Sequence, residues 1–350
     1  MEERLGWGRR IPRRASNRSI ERDSESKMTR NILIGLGAGL AAALLFASVI
    51  SGTTLALPLF LLSPLPVAIA GIGFGTLSGA TAAAVAAAII AAAFNPLAGL
   101  LHLFAFGAPV AWAAHLVGLS RPGEPVPGAA ADAAPPVEWF PLGMVLARLA
   151  IATAAGVVAA GAMLGFDPAT LVSQTVGAFE AWLAAGGAGA DAPTTEQLTP
   201  IVSLSVAMMP ATSGCFVLGI AVLNLWLGGH IARMSGLLRR GWTPMWSVQL
   251  PFFLGPLLAL ALAGCVLPGG AGHIAAAVAG SVAFAFALSG YGTLHALLRG
   301  KPGRFAMLFL LYAVSVVFML PIVLVALLGI ADTLLNLRFR RMTGGAGPSS

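Results

Sequence analysis

Charge is scarce in this chain. Of its 350 residues only 9% are Asp, Glu, Lys or Arg, while 58% are hydrophobic. A water-soluble domain carries roughly a quarter charged residues, so an ordinary soluble globule is excluded. Acids are scarcer still, 13 against 20 Lys and Arg, for a net charge of +7. Cysteine is limited to Cys215 and Cys265, both inside apolar runs and without CxxC or metal-ligand spacing, so no disulfide framework or zinc site is indicated. No GxxxxGK[ST] occurs, which removes P-loop ATP hydrolysis. HExxH is absent too. The five histidines, His102, His115, His230, His273 and His295, lack the i, i+4 spacing that sets two ligands on one helix face. The expectation is a protein that is not an enzyme, with no catalytic residue, no metal and no cofactor.

Net positive charge with so few acids raises nucleic acid as a partner. Such sites need a basic patch interleaved with stacking aromatics, and none is present. Nine of the Lys and Arg lie in the first 30 residues, and most of the rest cluster at 233–240, 299–304 and 338–341. These clusters flank apolar runs, where they act as orientation signals under the positive-inside rule. The partner they indicate is a lipid bilayer, not nucleic acid.

A bilayer core about 30 Å thick needs about 20 apolar residues in a helix. Candidate spans run over 31–50, 55–70, 71–93, 97–118, 141–164, 200–228, 250–268, 273–298 and 304–330. The expected fold class is all-α: a polytopic transmembrane helical bundle of about eight to nine spans, in a bacterial inner membrane. Residues 1–27 read as a disordered basic N-terminal tail, 28–341 as the transmembrane domain and 342–350 as a disordered C-terminal tail. Met28-Thr29-Arg30 offers a second translation start besides Met1. Loop charge then sets orientation. The N-terminus (Arg9, Arg10, Arg13, Arg14, Lys27, Arg30) is expected in the cytoplasm, with Arg233, Arg239, Arg240, Arg299, Lys301 and Arg304. The acidic stretch 165–199 (Asp167, Glu180, Asp191, Glu196) is expected outside. Eight spans up to residue 298 satisfy these assignments in alternation. The last apolar stretch is long. As one helix it would carry Arg338, Arg340 and Arg341 outside; a turn near Leu320-Pro321 would return them inside. Asp332 near Arg338 and Arg340 reads as an interfacial helix end.

Several local features stand out. The second span holds Pro58, Pro64 and Pro66, and Pro removes a helix hydrogen bond, so this span is expected to be broken. In a transporter such a break faces substrate; in a plainer protein it is a kink. The third span shows small residues four apart, Gly71, Gly75, Gly79, Ala83, Ala87 and Ala91, a stripe that lets helices approach closely; Gly35, Gly39 and Ala43 repeat it. Asp167-Pro168 reads as a capped helix start. Behind it Val172, Val176, Phe179 and Leu183 share a face, as in a helix lying along the interface. The runs 121–136 and 186–190 read as loops. Ser289-Gly290-Tyr291-Gly292 resembles the serine region of rhomboid proteases only poorly, with Ala287 where that motif has Gly and His295 on the same helix.

Polar groups at membrane depth are costly and so are candidate site residues. Arg148 stands seven residues into its span, placed either to snorkel or to meet an anion. Pro64 and Pro66 at the break, Asn95, His102 and Tyr291 complete the candidate ligand-binding set, although Asn95-Pro96 also reads as a simple helix boundary. The order of Leu61-Leu62-Ser63-Pro64-Leu65-Pro66 with Gly71-Ile72-Gly73-Phe74-Gly75, then Trp139-Phe140-Pro141-Leu142-Gly143, then Asn224-Leu225-Trp226-Leu227, then Gly329-Ile330-Ala331-Asp332 resembles the YybS-like family of predicted bacterial membrane proteins over residues 28 to 341. That family is a domain of unknown function. It is distantly similar to the substrate-binding membrane subunits of energy-coupling-factor transporters. The resemblance implies a small-molecule-binding transporter subunit whose partners are a separate ATPase and a coupling membrane subunit. The alternative is a non-transporting scaffold or assembly factor acting through basic cytoplasmic loops.

Overall fold

A computed structural model describes residues 13–124, 135–187, 193–318, 320–338 and 340, with backbone alone for 13–23 and 316. The chain is almost wholly helical. Among the described residues seven helical segments are long and apolar enough to cross a membrane, and an eighth if one bent pair counts as a span. Among the described residues the one sheet is an antiparallel pair, β1 (Ser120–Pro122) with β2 (Val137–Trp139). Its ends lie in the expected 121–136 loop, whose residues 125–134 are outside the described residues.

Helix α1 (Arg13–Ala47) begins well before residue 28. The stretch 13–27, expected as a disordered tail, therefore continues the helix of the first span. Residues 1–12 and the expected tail at 342–350 are outside the described residues. The second span is broken as its prolines require: α2 (Ala56–Leu61) and α3 (Leu65–Phe74) flank a turn at 62–64. There Leu65 N–H bonds to Leu62 O, which frees the Leu61 carbonyl. The Asn224 amide fills that gap, donating from Nδ2 to Leu61 O at 2.9 Å and to Ile220 O at 2.8 Å. Unpaired backbone is tolerated at membrane depth only with such protein partners.

α3 joins α4 (Thr76–Ala93) through one residue, Gly75, at φ +104°. An L side chain is strained there, so the connection needs glycine. The small-residue ladder is thus split between two helices instead of forming one stripe. Gly71 and Gly79 face each other across the turn, and a Cβ on Gly79 would lie 2.8 Å from the Gly71 Cα. Gly35 and Gly39 of α1 press on the Ser78 and Ala82 carbonyls of α4. The fourth crossing runs through α5 (Pro96–His102), a π-helical turn at 103–107 and α6 (Ala108–Val117). Gly156 of α7 (Leu142–Leu164) packs directly on the Phe104 carbonyl of that turn.

Helix α8 (Pro168–Ala184) is capped by Asp167, whose carboxylate accepts from the Thr170 hydroxyl and the Ala169 and Thr170 N–H groups. The Thr170 hydroxyl and N–H hold that carboxyl below its ordinary pKa. α8 leans on the start of α9 (Thr195–Met234), where Thr195 donates to Glu180. With 40 residues α9 is about 60 Å long at 1.5 Å per residue. It therefore runs well past both ends of the expected 200–228 span.

The expected span 250–268 is helical only in α10 (Leu254–Gly264), too short to cross alone. The segment still reaches between the two ends of α7: Gly143 packs on the Gln249 carbonyl, and Phe166 meets the ring of His273 at 5.1 Å. The centre of the bundle is α11 (Gly270–Leu297), gripped by α7, α9, α10 and α13 (Leu320–Leu335). Gly290 of α11 meets the Val325 carbonyl of α13, and Gly329 meets the Phe286 carbonyl in return. This close approach joins two parallel helices. α12 (Arg304–Val317) and α13 are bent by 119° at Phe318, so the last stretch forms a hairpin and does not continue as one helix.

The charge clusters gather accordingly. Lys27, Arg30 and Arg239 line a common cavity, Arg240 donates to Phe140 O, and Arg299 and Arg338 both meet Trp246. All stand at one end, here termed the basic end, with Asp167 at the other.

Gly290→Ala places a methyl into the Val325 backbone and lowers stability by about 1–3 kcal/mol. Gly37→Ala, with open space around it, raises helix stability by up to about 1 kcal/mol. Thermal melts of the detergent-solubilised protein should shift in opposite directions; equal shifts would remove the α11–α13 seam as a constraint.

Candidate functional site

Three cavities adjoin at the basic end. The most apolar, about 240 Å³, lies between α7, α9, α11 and the segment 238–248. Its walls are Val145, Leu146, Val222, Leu225 and Leu288, with Trp226, Trp242, Thr243, Ser289 and Arg240 among its lining. A second, about 150 Å³, carries Thr76, His115, Trp139, Arg239 and Arg240. A third, about 310 Å³, carries Lys27, Arg30, Asn31 and Arg239. The first and second share Ile72, Val117, Leu238 and Arg240; the second and third share Arg239. No carboxylate lines any of them.

Local sequence explains how these groups converge. α9 ends at Met234 and Gly236 turns the chain at φ +67°, so Leu237 to Arg240 fold back over the end of α3. Arg240 then lies between the two smaller cavities. Its Nη1 donates to Phe140 O at 3.1 Å, and its guanidinium sits 6.0 Å from the Trp139 ring. Its Nε is buried without an acceptor, and burial pushes its pKa below the usual arginine range. His115 Nδ1 lies 2.6 Å from the Thr76 hydroxyl. Trp226 stacks on His230, which meets Trp242 edge-on, and Arg233 covers the Trp242 ring. Trp226 and Trp242 are 44% and 37% exposed, so the apolar cavity reaches the outer surface of α9.

A buried ion pair forms one wall. Arg338 and Asp332 are each 1% exposed and 2.7 Å apart, so Asp332 is not the interfacial helix end its position suggested. Arg338 Nη1 donates to the carbonyls of Trp246 and Val248, at 3.0 and 2.8 Å, and Nη2 donates to Ser289 Oγ at 2.8 Å. The hydroxyl of Ser289 is thereby committed to Arg338. His295 bonds instead to the Tyr312 hydroxyl at 3.0 Å, so the rhomboid-like stretch holds no serine–histidine pair.

The candidates from sequence fall in separate places. Pro64 is buried beside the Asn224-capped break, and Pro66 opens α3. Asn95 is exposed and caps α5, accepting from Ala98 N–H at 2.8 Å. His102 is 1% exposed, against Phe46 and Phe106, with both ring nitrogens unpartnered. Tyr291 stacks on Tyr312 at 4.9 Å. Arg148 lies over the Phe140 ring at 4.9 Å. It is about a third of a turn off the α7 face of Leu142, Val145 and Leu146 that lines the apolar cavity. Phe140 thus links Arg148, on its ring, to Arg240, on its carbonyl, but none of the six candidates, Arg148, Pro64, Pro66, Asn95, His102 and Tyr291, lines any of the three cavities. Sequence reasoning missed Arg240, Trp226, Trp242 and Ser289 as neighbours. In sequence Arg239 and Arg240 read as part of a basic cytoplasmic loop, and nothing local sets them beside a pocket.

Removing one partner of a buried ion pair costs about 3–5 kcal/mol. Arg338→Met should therefore lower the thermal midpoint sharply and expose the C-terminal hairpin to protease, whereas Lys301→Met, at an exposed position, should not. A melt of Arg338→Met indistinguishable from the parent would dismiss the clasp. Comparison with family models, curated proteins and solved structures gives no match for this chain.

Proposed function

We propose that this integral, multi-pass membrane protein binds a small molecule in its basic-end cavities, as a transporter subunit that carries no ATPase of its own. The observation that carries this reading is the run of adjoining cavities bearing Lys27, Arg30, Arg239 and Arg240 with no carboxylate among their linings. Concave sites lined by apolar groups with a few convergent polar ones are the usual form of a ligand pocket. The positive-inside rule supports a cytoplasmic side for this end, with the N-terminus on the same side, and on this reading the membrane is a bacterial inner membrane. The resemblance to the YybS-like family, and through it to substrate-binding subunits, agrees with a binding role. So does the missing P-loop, since energy then comes from a separate ATPase and a coupling membrane subunit. The protein is read as a binder and not an enzyme.

The test is affinity purification of the tagged chain in mild detergent with identification of the accompanying proteins. An ATPase pair with a coupling membrane subunit is the expected result, retained in Arg240→Gln, whose change lies in the cavity. Reproducible recovery of biogenesis or division proteins instead would favour the scaffold that the basic loops also permit, and would overturn the transporter reading.

A further inference from the structure

We infer that the basic-end cavities take an anionic amphiphile, with its hydrocarbon chain in the Trp226–Trp242 chamber and its phosphate or carboxylate head at Arg240 and Arg239. This rests on the binding role proposed above and names the class of ligand.

The two chambers differ in chemistry and share one cation. The larger is walled by aliphatic side chains, and its buried hydroxyl, Ser289, is taken by Arg338. The smaller carries Thr76, His115, Arg239 and Arg240. Arg240 lines both. The positive-inside rule explains why arginines sit at this end, but not why one is half-buried against an aliphatic wall. Its Nε has no acceptor and no carboxylate pairs with it among the described residues. A buried, unpaired donor on a cation is costly. A phosphate or carboxylate removes that cost, because the guanidinium fork matches two anionic oxygens at once.

The order of the chambers matches the bilayer. The apolar chamber is built on span residues such as Val222 and Leu288, and the polar one lies toward the span ends at Leu119, just after α6, and Trp139, just before α7. An amphiphile in the adjoining leaflet stands the same way round. Trp226, exposed on α9, gives it a lateral entry from lipid. A chamber of about 240 Å³ far exceeds the roughly 10–15 Å³ that a single water needs on this measure, so it has room for a segment of an acyl chain.

The test uses the full chain in maltoside micelles and lysophosphatidate with a brominated acyl chain, which quenches indoles it touches. Brominated lysophosphatidylcholine is one parallel arm, and inorganic phosphate, followed by titration calorimetry, is the other. Val222→Phe, which fills the apolar chamber, sets the background from micelle-bound lipid. Saturable quenching above that background is expected, roughly tenfold tighter for the anionic lipid than for the zwitterionic one. Arg240→Gln should abolish that preference and Arg240→Lys should retain part of it. Equal quenching by both lipids, unaffected by Arg240→Gln, overturns the anionic head while leaving a small-molecule cavity. Phosphate binding as tightly as lysophosphatidate overturns the amphiphile in favour of a free anion. No quenching above the Val222→Phe background by either lipid, with no phosphate bound, overturns the anionic amphiphile, while the transporter reading stands or falls on the proteins that co-purify.

Discussion

One guanidinium closes the basic end of the bundle. Arg338 reaches Asp332 on its own strand of the hairpin, Ser289 on α11, and the carbonyls of Trp246 and Val248 in the segment before α10. Its backbone N–H also meets Asp332 Oδ1 at 3.0 Å. Three parts of the chain that share no local sequence are thereby held at fixed spacing. The pair is not a large net source of stability, because desolvating both charges offsets most of their attraction. Its effect is on geometry: any arrangement that withdraws one partner strands a buried charge. Met245 and Val248, which bracket the clasped carbonyl of Trp246, line the apolar cavity. The shape of that cavity therefore depends on the clasp, and the clasp depends on the reversal at Phe318 that returns α13 to the basic end.

The same logic governs the other irregular segment. A membrane bundle must supply internal partners wherever its backbone leaves the helix. Around residues 62–64 the partner is Asn224; around 246–248 it is Arg338. Both are buried polar side chains that reach from a distant part of the chain to carbonyls with no helical donor. Hydrophobic burial cannot specify these two breaks, since lipid is as apolar as the core. Close glycine contacts and a few hydrogen bonds set the packing instead.

How much of this was legible follows from the range of each interaction. Charge segregation is local, so the sorting of Lys27, Arg239, Arg299 and Asp167 to their two ends could be read directly. The prolines announced the break at 62–64 for the same reason. The length of α10 could not be read, because 250–268 is apolar throughout while Pro251 and Pro268 and the clasped carbonyls restrict its helix to the middle. Asp332 and Arg338 are six residues apart and stand out together in the sequence, yet their burial depends on Ser289 and Trp246, far away in sequence. Asn224 and Leu61 are 163 residues apart. The candidate site was less legible than the fold. Arg148 stood out as a lone charge inside a span, whereas Arg240 looked like an ordinary loop arginine until the chain after Gly236 folded it back against Phe140.

The arginines of the basic end differ in what faces them, and that difference separates orientation from binding. Arg338 is neutralised by a carboxylate. Arg148, Arg233 and Arg299 lie over Phe140, Trp242 and Trp246. A ring face stabilises a cation through its quadrupole without cancelling its charge. These arginines therefore keep the field that an orientation signal needs, and the rings hold them at the level of the interface, where aromatic side chains gather. Arg240 has the same charge but a different setting. Its indole neighbour is 6.0 Å away, its one hydrogen-bond acceptor among the described residues is the Phe140 carbonyl, and it borders an aliphatic wall. Orientation would be served equally well by a fully solvated side chain at no desolvation cost. An arginine that bears this cost without a carboxylate is better placed to meet an anion than to mark a side of the membrane.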